Sequence, residues 1–259
     1  MVIRIIFFDV DGTLKSFNNK GITEAVLQAL QALKEKGIKI FLATGRAPYA
    51  VPKFEGISFD GYVCFNGAYC YAGKDIIFSK PLDKKDVQQL FRNAKELNEP
   101  LVAAGESEMN VSGHNKILEE YLGVANVKYP ATDLDYFKKF IEGDIYQFMV
   151  SGGPEKDNHY LKDCKHLKVA RWWQHAFDVV ADDCSKSMAI QKVLEFYNIK
   201  REESMAFGDG GNDEDMIEYV GVGVAMGDAT DSVKKVADYI TDTVDDDGVV
   251  TALKYFKIL

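Results

Sequence analysis

Hydrophobic residues along the chain follow two alternating patterns. The run from Arg4 to Asp9, RIIFFD, is continuously apolar and rich in β-branched and aromatic residues, which predicts a buried strand. The next segment carries apolar residues at helical spacing from Val26 to Leu33, with Thr23 as the predicted N-cap and Gly37 as the predicted stop. Continuous apolar strands separated by amphipathic helices need cover on both faces. The pattern therefore predicts a parallel sheet between two layers of helices.

The same alternation occupies both ends of the chain. Near the N-terminus, two further strands are predicted at residues 38–43 and 62–65. The C-terminal end predicts, in order, a helix at 187–197, a strand at 205–207, a helix from 213, a strand at 222–225 and a helix at 249–256. Both ends together predict an α/β core built on a Rossmann-like, doubly wound parallel sheet.

The middle of the chain has a different pattern. An amphipathic helix begins after its predicted N-cap, Asp83, and strand-like stretches follow at 145–150, 168–173 and 177–181. Consecutive strands predict a hairpin and an antiparallel sheet. The predicted domains are a core formed by residues 1–81 and 185–259, and an inserted α+β cap domain at 82–184.

Composition and charge narrow the class of function. The 259 residues are 47% hydrophobic and 27% charged, an ordinary balance for a globular protein with a sizeable core. The net charge of −9 disfavours sequence-independent binding to nucleic acid or to an anionic membrane. No apolar run approaches the ~20 residues of a membrane helix, and the N-terminus lacks the pattern of a signal peptide. We expect a cytoplasmic protein with reduced cysteines and with neither nucleic acid nor membrane as a partner.

Two carboxylates follow the first predicted strand. Asp9 and Asp11 are two residues apart, and Gly12 permits a tight bend, so both acids can face the sheet edge where open α/β sheets bind ligands. Neighbouring carboxylates repel each other, so such a pair holds a cation or shares a proton. An EF-hand is excluded because it requires Gly and Glu where this chain has Leu14 and Lys20. A solvated turn and a glycosyltransferase-type D-x-D site remain alternatives.

Polar residues also stand at other strand ends and helix starts. Thr44 follows the second strand with a hydroxyl and a backbone N–H, and Gly45 lets a ligand approach the backbone. Lys186 precedes a helix, where the helix dipole favours an anion over a cation. Asp209 and Asp213, four residues apart at a helix start, can reach one metal ion or its water shell. Each motif alone also fits an ordinary turn, a helix cap or a solvated surface.

Taken in order, these motifs resemble those of the haloacid dehalogenase (HAD) superfamily of phosphatases, and most closely its Cof-type branch. The matching segments are 9–14, 43–46, 65–68, 185–186, 208–213, 224–229 and 247–250. In the middle of the chain the resemblance extends only to the presence of a cap inserted between the second and third motifs. Asp228 is a departure, because the family often has Asn there.

This resemblance implies a Mg²⁺-dependent phosphatase that hydrolyses small phosphorylated metabolites, with sugar phosphates as the expected class. Asp9 is implied as the nucleophile that forms an aspartyl-phosphate, and Asp11 as the general acid and base. The implied Mg²⁺ ligands are Asp9, the backbone carbonyl of Asp11, and Asp209. Asp213 is implied to support them from the next layer of residues or through a metal-bound water.

Other implied roles concern phosphate and substrate. The residues expected to bind the phosphate are Thr44, Gly45, Lys186 and Asn212, with Arg46 in a supporting position. Trp173 and His175 lie near the last hairpin of the predicted cap and are candidates for substrate contact. From the sequence, ordinary packing of the cap sheet is the better explanation of this pair.

Two alternative functions remain open at this point. One is transfer of the phosphoryl group to another acceptor, as in a phosphomutase of the same superfamily. The other is a non-catalytic sensor of phosphorylated metabolites on an inherited scaffold, which the intact Asp9, Asp11, Lys186 and Asp209 disfavour. Both a monomer and a homodimer are compatible with the sequence.

Overall fold

The structure is a computed structural model that describes residues 2–16, 21–124, 127–171 and 174–259. The chain divides into two compact units. The first unit contains residues 1–45, 52–79 and 185–259, and the second contains 46–51 and 80–184. The predicted domain boundaries lie between residues 81 and 82 and between residues 184 and 185. The prediction placed the short segment 46–51 in the core domain, whereas here it groups with the second unit. Within the described ranges, no helix has the length and apolar character that crossing a bilayer requires.

Strands and helices occur in both units. In chain order the strands are β1 (Ile5–Phe8), β2 (Lys39–Ala43), β3 (Gly61–Cys64), β4 (Tyr69–Ala72), β5 (Asp75–Ser79), β6 (Leu101–Ala104), β7 (Met109–Val111), β8 (Gln147–Ser151), β9 (Leu167–Ala170), β10 (Ala176–Ala181), β11 (Ser204–Gly208), β12 (Val222–Ala225) and β13 (Tyr239–Ile240). The α-helices are α1 (Glu24–Glu35), α2 (Lys84–Glu96), α3 (Lys116–Val124), α4 (Leu134–Phe140), α5 (Asp157–Tyr160), α6 (Lys186–Tyr197), α7 (Glu214–Tyr219), α8 (Asp231–Val236) and α9 (Gly248–Tyr255).

An eight-stranded sheet forms the centre of the first unit, in the order β13-β12-β11-β1-β2-β3-β4-β5. The strands from β13 to β3 are parallel, and β4 and β5 extend the sheet as antiparallel strands. Strand β1 lies between β11 and β2, so that Phe7 pairs with Ala206 on one side and Phe41 on the other. All four residues of β1 are buried. The predicted α/β core with a parallel sheet is therefore confirmed.

Helix α1 shows how local sequence sets an element. Thr23 is its N-cap, and the threonine Oγ1 accepts a hydrogen bond from the backbone N–H of Val26 at 3.2 Å. The apolar residues Leu30 and Leu33 are fully buried. After the helix, Gly37 takes a φ of +75°, a conformation that glycine adopts without a steric penalty. The predicted cap, apolar face and stop of this helix are confirmed.

The parallel strands bring their carboxyl ends to one edge of the sheet. Asp9 follows β1, Thr44 follows β2 and Asp209 follows β11. Backbone hydrogen bonds fix these residues, since the N–H of Asp9 donates to the carbonyl of Phe207 and the N–H of Thr44 to that of Val63. Because β11, β1 and β2 are direct neighbours, the residues that follow them are placed side by side.

A five-stranded antiparallel sheet forms the second unit, in the order β7-β6-β8-β10-β9. The β9–β10 pairing confirms the predicted hairpin, although positions 172 and 173 of the predicted strand lie outside the described residues. Helix α2 begins after Asp83, whose Oδ1 accepts a hydrogen bond from the N–H of Lys85 at 2.8 Å. The rings of Phe91 in α2 and Phe137 in α4 are in contact, with centroids 5.4 Å apart. Strands β6 and β7 are additions to the predicted pattern.

A buried acid in this second sheet has an unusual proton affinity. Asp178 in β10 is 4% exposed, and its Oδ1 accepts a hydrogen bond from the hydroxyl of Tyr121 at 2.8 Å. Burial raises the pKa of Asp178 to about 7, against the opposing effect of hydrogen bonds from Tyr121 and Gln147. The folded protein therefore binds this proton more tightly than the unfolded chain does.

We expect the second unit to lose stability as pH rises through this range. Between pH 5 and pH 8 the raised pKa of Asp178 lowers the free energy of unfolding by about 3 kcal/mol. Asp178→Asn keeps an acceptor for Tyr121 and removes the titration, so the variant should lose most of this pH dependence. Urea unfolding followed by tryptophan fluorescence is the measurement, because both tryptophans of the sequence, Trp172 and Trp173, fall within the span of this unit. Equal pH dependence in both proteins would contradict the assignment.

Candidate active site

Three carboxylates converge at the sheet edge of the first unit. Asp9, Asp209 and Asp213 each offer an oxygen, and these oxygens all lie within 4.8 Å of one another. Asp9 follows β1, Asp209 follows β11, and Asp213 directly precedes α7. The structure thus brings together three acids that the sequence had singled out from two distant segments.

Lys186 is the cation of this cluster. Its side chain is fully buried, and its Nζ donates to Asp9 Oδ1 at 2.7 Å and to Asp213 Oδ1 at 2.5 Å. Burial alone lowers the pKa of Lys186, but the attraction of Asp213 and Asp9 outweighs it and the pKa is raised overall. The residue opens α6, where the Ser185 side chain caps the helix by accepting from the N–H of Met188. Lys186 is therefore a positioned, permanent positive charge.

Asp213 has donors on both of its carboxylate oxygens. Oδ1 accepts from Lys186, and Oδ2 accepts from the backbone N–H groups of Asp209 at 3.0 Å and Gly210 at 2.9 Å. Through these hydrogen bonds, the Asp213 side chain holds the loop after β11 in place. Asp209 is held on its other side, because its Oδ1 accepts from the hydroxyl of Thr13 at 2.8 Å. Thr13 lies in the first motif but was not among the predicted site residues.

Asp9 and Asp209 hold protons more tightly than ordinary carboxyl groups. Burial, and then repulsion from Asp213, raises the pKa of Asp9 well above its usual range. The same two causes, in the same order, raise the pKa of Asp209 to about 7. When ionised, three carboxylates and one ammonium leave two negative charges, which a divalent cation would balance. Carboxylate oxygens are ligands that Mg²⁺ prefers, so Asp9 and Asp209 fit such an ion, while Asp213 already has its donors.

Asp11 lies on the turn after Asp9, and its side chain has a different environment. It is about one-quarter exposed, at 26%, and its Oδ1 lies 3.6 Å from the Nζ of Lys15. Its carboxylate is not one of the three that converge. The metal ligand predicted at this position is the backbone carbonyl of Asp11, which stays a prediction. A partly exposed carboxyl group beside the cluster is accessible to a substrate, as a general acid must be.

Besides Lys186 at the start of α6, the predicted phosphate-binding residues Thr44, Gly45 and Asn212 lie on two adjoining loops. Thr44 is buried, and Gly45 packs against the side chain of Asn66, whose Nδ2 would lie 3.0 Å from a Cβ at position 45. Asn212 reaches the same side chain, because its Nδ2 donates to Asn66 Oδ1 at 3.0 Å. Asn66 therefore joins the loop after β2 to the loop after β11. It was part of the family resemblance, but it was not among the predicted site residues.

The remaining predicted residues belong to the second unit. The Arg46 guanidinium donates to the carbonyl of Ala50 at 3.1 Å. His175 is exposed, and its Nε2 lies 2.9 Å from the side-chain nitrogen of Gln174. Trp173 lies outside the described residues. The supporting role of Arg46 and the substrate contacts of Trp173 and His175 stay predictions.

Gly12 offers a test of how closely the cluster is packed. It has a φ of +92°, and an added Cβ would lie 2.3 Å from Asp209 Oδ2. With the role that the family resemblance implies for Asp209, we expect Gly12→Ala to displace its carboxylate and to lower kcat/KM for a phosphomonoester by on the order of 10²-fold. Gly73→Ala is the matched control, since Gly73 also has a positive φ, +60°, but its Cβ would meet nothing within 4 Å.

Gly73→Ala should lose about 1 kcal/mol of stability from backbone strain, and Gly12→Ala should lose more because its Cβ also displaces Asp209. Only the Gly12 variant should lose activity. If the two variants retain the same activity, close packing of Gly12 against Asp209 is not required for catalysis. Steady-state kinetics and thermal unfolding of both proteins provide the comparison.

Comparison with known proteins shows the family to which this chain belongs. The chain matches the model of the haloacid dehalogenase-like hydrolases over residues 6–253. It is 34% identical over 260 residues to "Putative phosphatase YkrA" of Bacillus subtilis (strain 168), covering 99% of this chain and 98% of that protein. It is 30% identical over 273 residues to the 5-amino-6-(5-phospho-D-ribitylamino)uracil phosphatase YitU of the same organism, covering 98% of each.

A solved structure agrees with these relatives. The fold is similar to that of BT4131, a sugar phosphatase of HAD subclass IIB, with a TM-score of 0.88 and 32% identity. The similarity covers 99% of this chain and 100% of that one. The range that the family model matches contains the acid cluster and Lys186. The chain belongs to the haloacid dehalogenase-like hydrolases, and it is a phosphatase that acts on phosphoric monoesters.

Proposed function

We propose that the protein is a Mg²⁺-dependent phosphatase that hydrolyses small phosphorylated metabolites, sugar phosphates among them, through an aspartyl-phosphate on Asp9. The main observation behind this proposal is the environment of the Asp9 carboxylate. One of its oxygens is bound by the buried ammonium of Lys186, at 2.7 Å, and it stands beside the carboxylate of Asp209. An oriented carboxylate next to a fixed positive charge is suited to attack an anionic phosphoryl group.

In the first step, an oxygen of Asp9 attacks phosphorus and the bond from phosphorus to the leaving oxygen breaks. Lys186 holds Oδ1 of the nucleophile and offsets the repulsion between two anionic groups. Thr44, Gly45 and Asn212 supply neutral donors for the transferring phosphoryl group: a hydroxyl, a backbone N–H and a side-chain amide. Asp9 and Asp209 would hold the Mg²⁺ ion, which would neutralise charge on the phosphoryl oxygens.

Asp11 moves the protons of the reaction. Its protonated carboxyl group gives a proton to the leaving oxygen, so the alcohol departs neutral. The carboxylate that remains takes a proton from the water that attacks the aspartyl-phosphate, and inorganic phosphate is released with Asp9 restored. Its partial exposure at the turn after Asp9 supports this role.

Asp11→Asn tests the assignment through the leaving group. For a sugar phosphate, whose alkoxide is a poor leaving group, we expect kcat/KM to fall by about 10²–10⁴. For p-nitrophenyl phosphate the fall should be much smaller, because nitrophenolate departs readily without a proton. Thermal unfolding should change little, since the side chain is partly exposed. An equal fall for both substrates would contradict proton donation by Asp11.

The choice of substrate is proposed from the relatives and from the predicted cap domain at 82–184. BT4131 is named a sugar phosphatase and YitU acts on a ribitylamino-uracil phosphate, so small phosphorylated metabolites are the shared class. Kinetics with a panel of such compounds, with Mg²⁺ and with EDTA, test the proposal. Release of inorganic phosphate that needs no acceptor excludes a phosphomutase, and Mg²⁺-dependent release of any kind excludes a pure sensor.

A further inference from the structure

A left-handed turn follows β3 at the edge of the site. Phe65, Asn66 and Gly67 form a short turn with φ values of +50°, +53° and +104°. All three residues are buried. Asparagine and glycine tolerate this region, but a bulky residue such as phenylalanine is an outlier there. Such conformations persist where the surrounding structure imposes them, and they concentrate at functional sites.

The middle residue of the turn contacts both loops that are proposed to bind phosphate. The backbone N–H of Asn66 donates to the carbonyl of Thr44 at 3.1 Å. Its Oδ1 accepts from Asn212 at 3.0 Å, and its amide lies against Gly45, where a Cβ would approach within 3.0 Å. A single buried side chain therefore separates and aligns the two loops.

The last residue of the turn contacts a third loop. A Cβ on Gly67 would lie 2.0 Å from the carbonyl oxygen of Ser185 and 3.1 Å from the backbone nitrogen of Lys186. The turn thus lies directly against the start of α6, where the catalytic-site lysine is placed. Three loops that are far apart in sequence take their spacing from this one turn.

We propose that Asn66 is a positioning residue of the phosphate-binding loops, which orients the amide of Asn212 toward the transferring phosphoryl group. Asn212 is on the exposed side of its turn, where an amide without a fixed partner rotates freely. The bond to Asn66 Oδ1 holds one N–H of that amide and so fixes the direction of the other. This inference rests on the proposed role of Asn212 in binding phosphate.

Asn66→Gly is the informative variant, because glycine adopts a positive φ without strain and only the amide is lost. We expect kcat/KM for p-nitrophenyl phosphate to fall about tenfold, the effect of one misdirected hydrogen bond. The fall should appear as a higher KM and weaker inhibition by inorganic phosphate, with a similar thermal unfolding midpoint. Asn198→Gly is the matched control, since Asn198 has a φ of +49° at the end of α6 and is exposed. Its activity should be unchanged.

A double-mutant cycle with Asn212→Ala shows whether Asn66 acts through Asn212. If it does, Asn66→Gly has less than about a twofold effect once Asn212 is alanine. The inference is overturned if Asn66→Gly keeps full activity while Asn212→Ala is impaired, or if the two losses multiply. If Asn212→Ala leaves both kcat/KM and phosphate inhibition unchanged, the role of Asn212 itself is wrong, and the inference fails with it. None of these results affects the assignment of Asp9 as the nucleophile.

Discussion

Replacement of Asp9 by asparagine is expected to remove phosphatase activity, with a loss in kcat on the order of 10⁵ or more, the size typical for loss of a nucleophile. An amide cannot form the aspartyl-phosphate, and the other residues of the cluster offer no substitute. Asp213 is occupied by Lys186 and two backbone N–H groups, and Asp209 by Thr13. Steady-state release of inorganic phosphate, at saturating Mg²⁺ and substrate, is the measurement.

The same variant should fold at least as stably as the original protein. The pKa of Asp9 is raised by burial and by repulsion from Asp213, so loss of this carboxylate relieves an unfavourable charge. Lys186 keeps its bond to Asp213 at 2.5 Å. Thermal unfolding in EDTA provides the control, because an inactive but stable variant separates catalysis from folding. Activity within tenfold of the original would refute the proposed role of Asp9.

Lys186→Met is expected to lower both stability and activity. The side chain of Lys186 is fully buried between Asp9 and Asp213, so its loss leaves buried carboxylates without their cation. Breaking such a pair costs about 3–5 kcal/mol, and loss of the charge next to the nucleophile should lower kcat by about 10²–10³. Unfolding in urea with EDTA, together with phosphatase kinetics, measures the two effects.

Lys192→Met on the same helix is the matched control. Lys192 is 41% exposed and pairs with Glu195 at 2.8 Å, three residues along α6. Exposed pairs of this kind contribute about 0.5 kcal/mol or less, so this variant should resemble the original protein. Mg²⁺ should stabilise the Lys186 variant more than the original, because the ion would replace a missing positive charge. Equal urea midpoints for the Lys186 and Lys192 variants would contradict the account.

Burial decides which strands could be predicted from the sequence. Strand β12 was predicted at the bounds it occupies, because a strand covered on both faces must be continuously apolar. Strand β5, at the sheet edge, has exposed residues at both ends, and its apolar run has only three residues, too few to indicate a strand. Strand β6 is as short and as buried as β12, but β12 lies within the strand-helix alternation of the C-terminal end, whereas β6 and β7 have no such context. Without it, a run of three or four apolar residues does not distinguish a strand from other buried segments.

The site was predictable where it depends on strand ends, and not where it depends on loop contacts. Lys186 and Asp9 are 177 positions apart, yet their meeting follows from motifs at adjoining strand and helix ends. The bonds from Thr13 to Asp209 and from Asn212 to Asn66 depend on how two loops fold against each other. No spacing within one segment encodes such contacts. For Asn66, the signal was an Asn-Gly pair at a strand end, which fits any turn equally well.

The central claim is that the phosphoryl group passes through a covalent bond to Asp9. Its most direct test is to mix the protein rapidly with a labelled phosphomonoester and Mg²⁺, quench in acid, digest the protein and locate the label by mass spectrometry. The account predicts an acid-stable label on Asp9, formed at least as fast as turnover. Label on another residue, or a burst of free phosphate with no labelled protein, would contradict it.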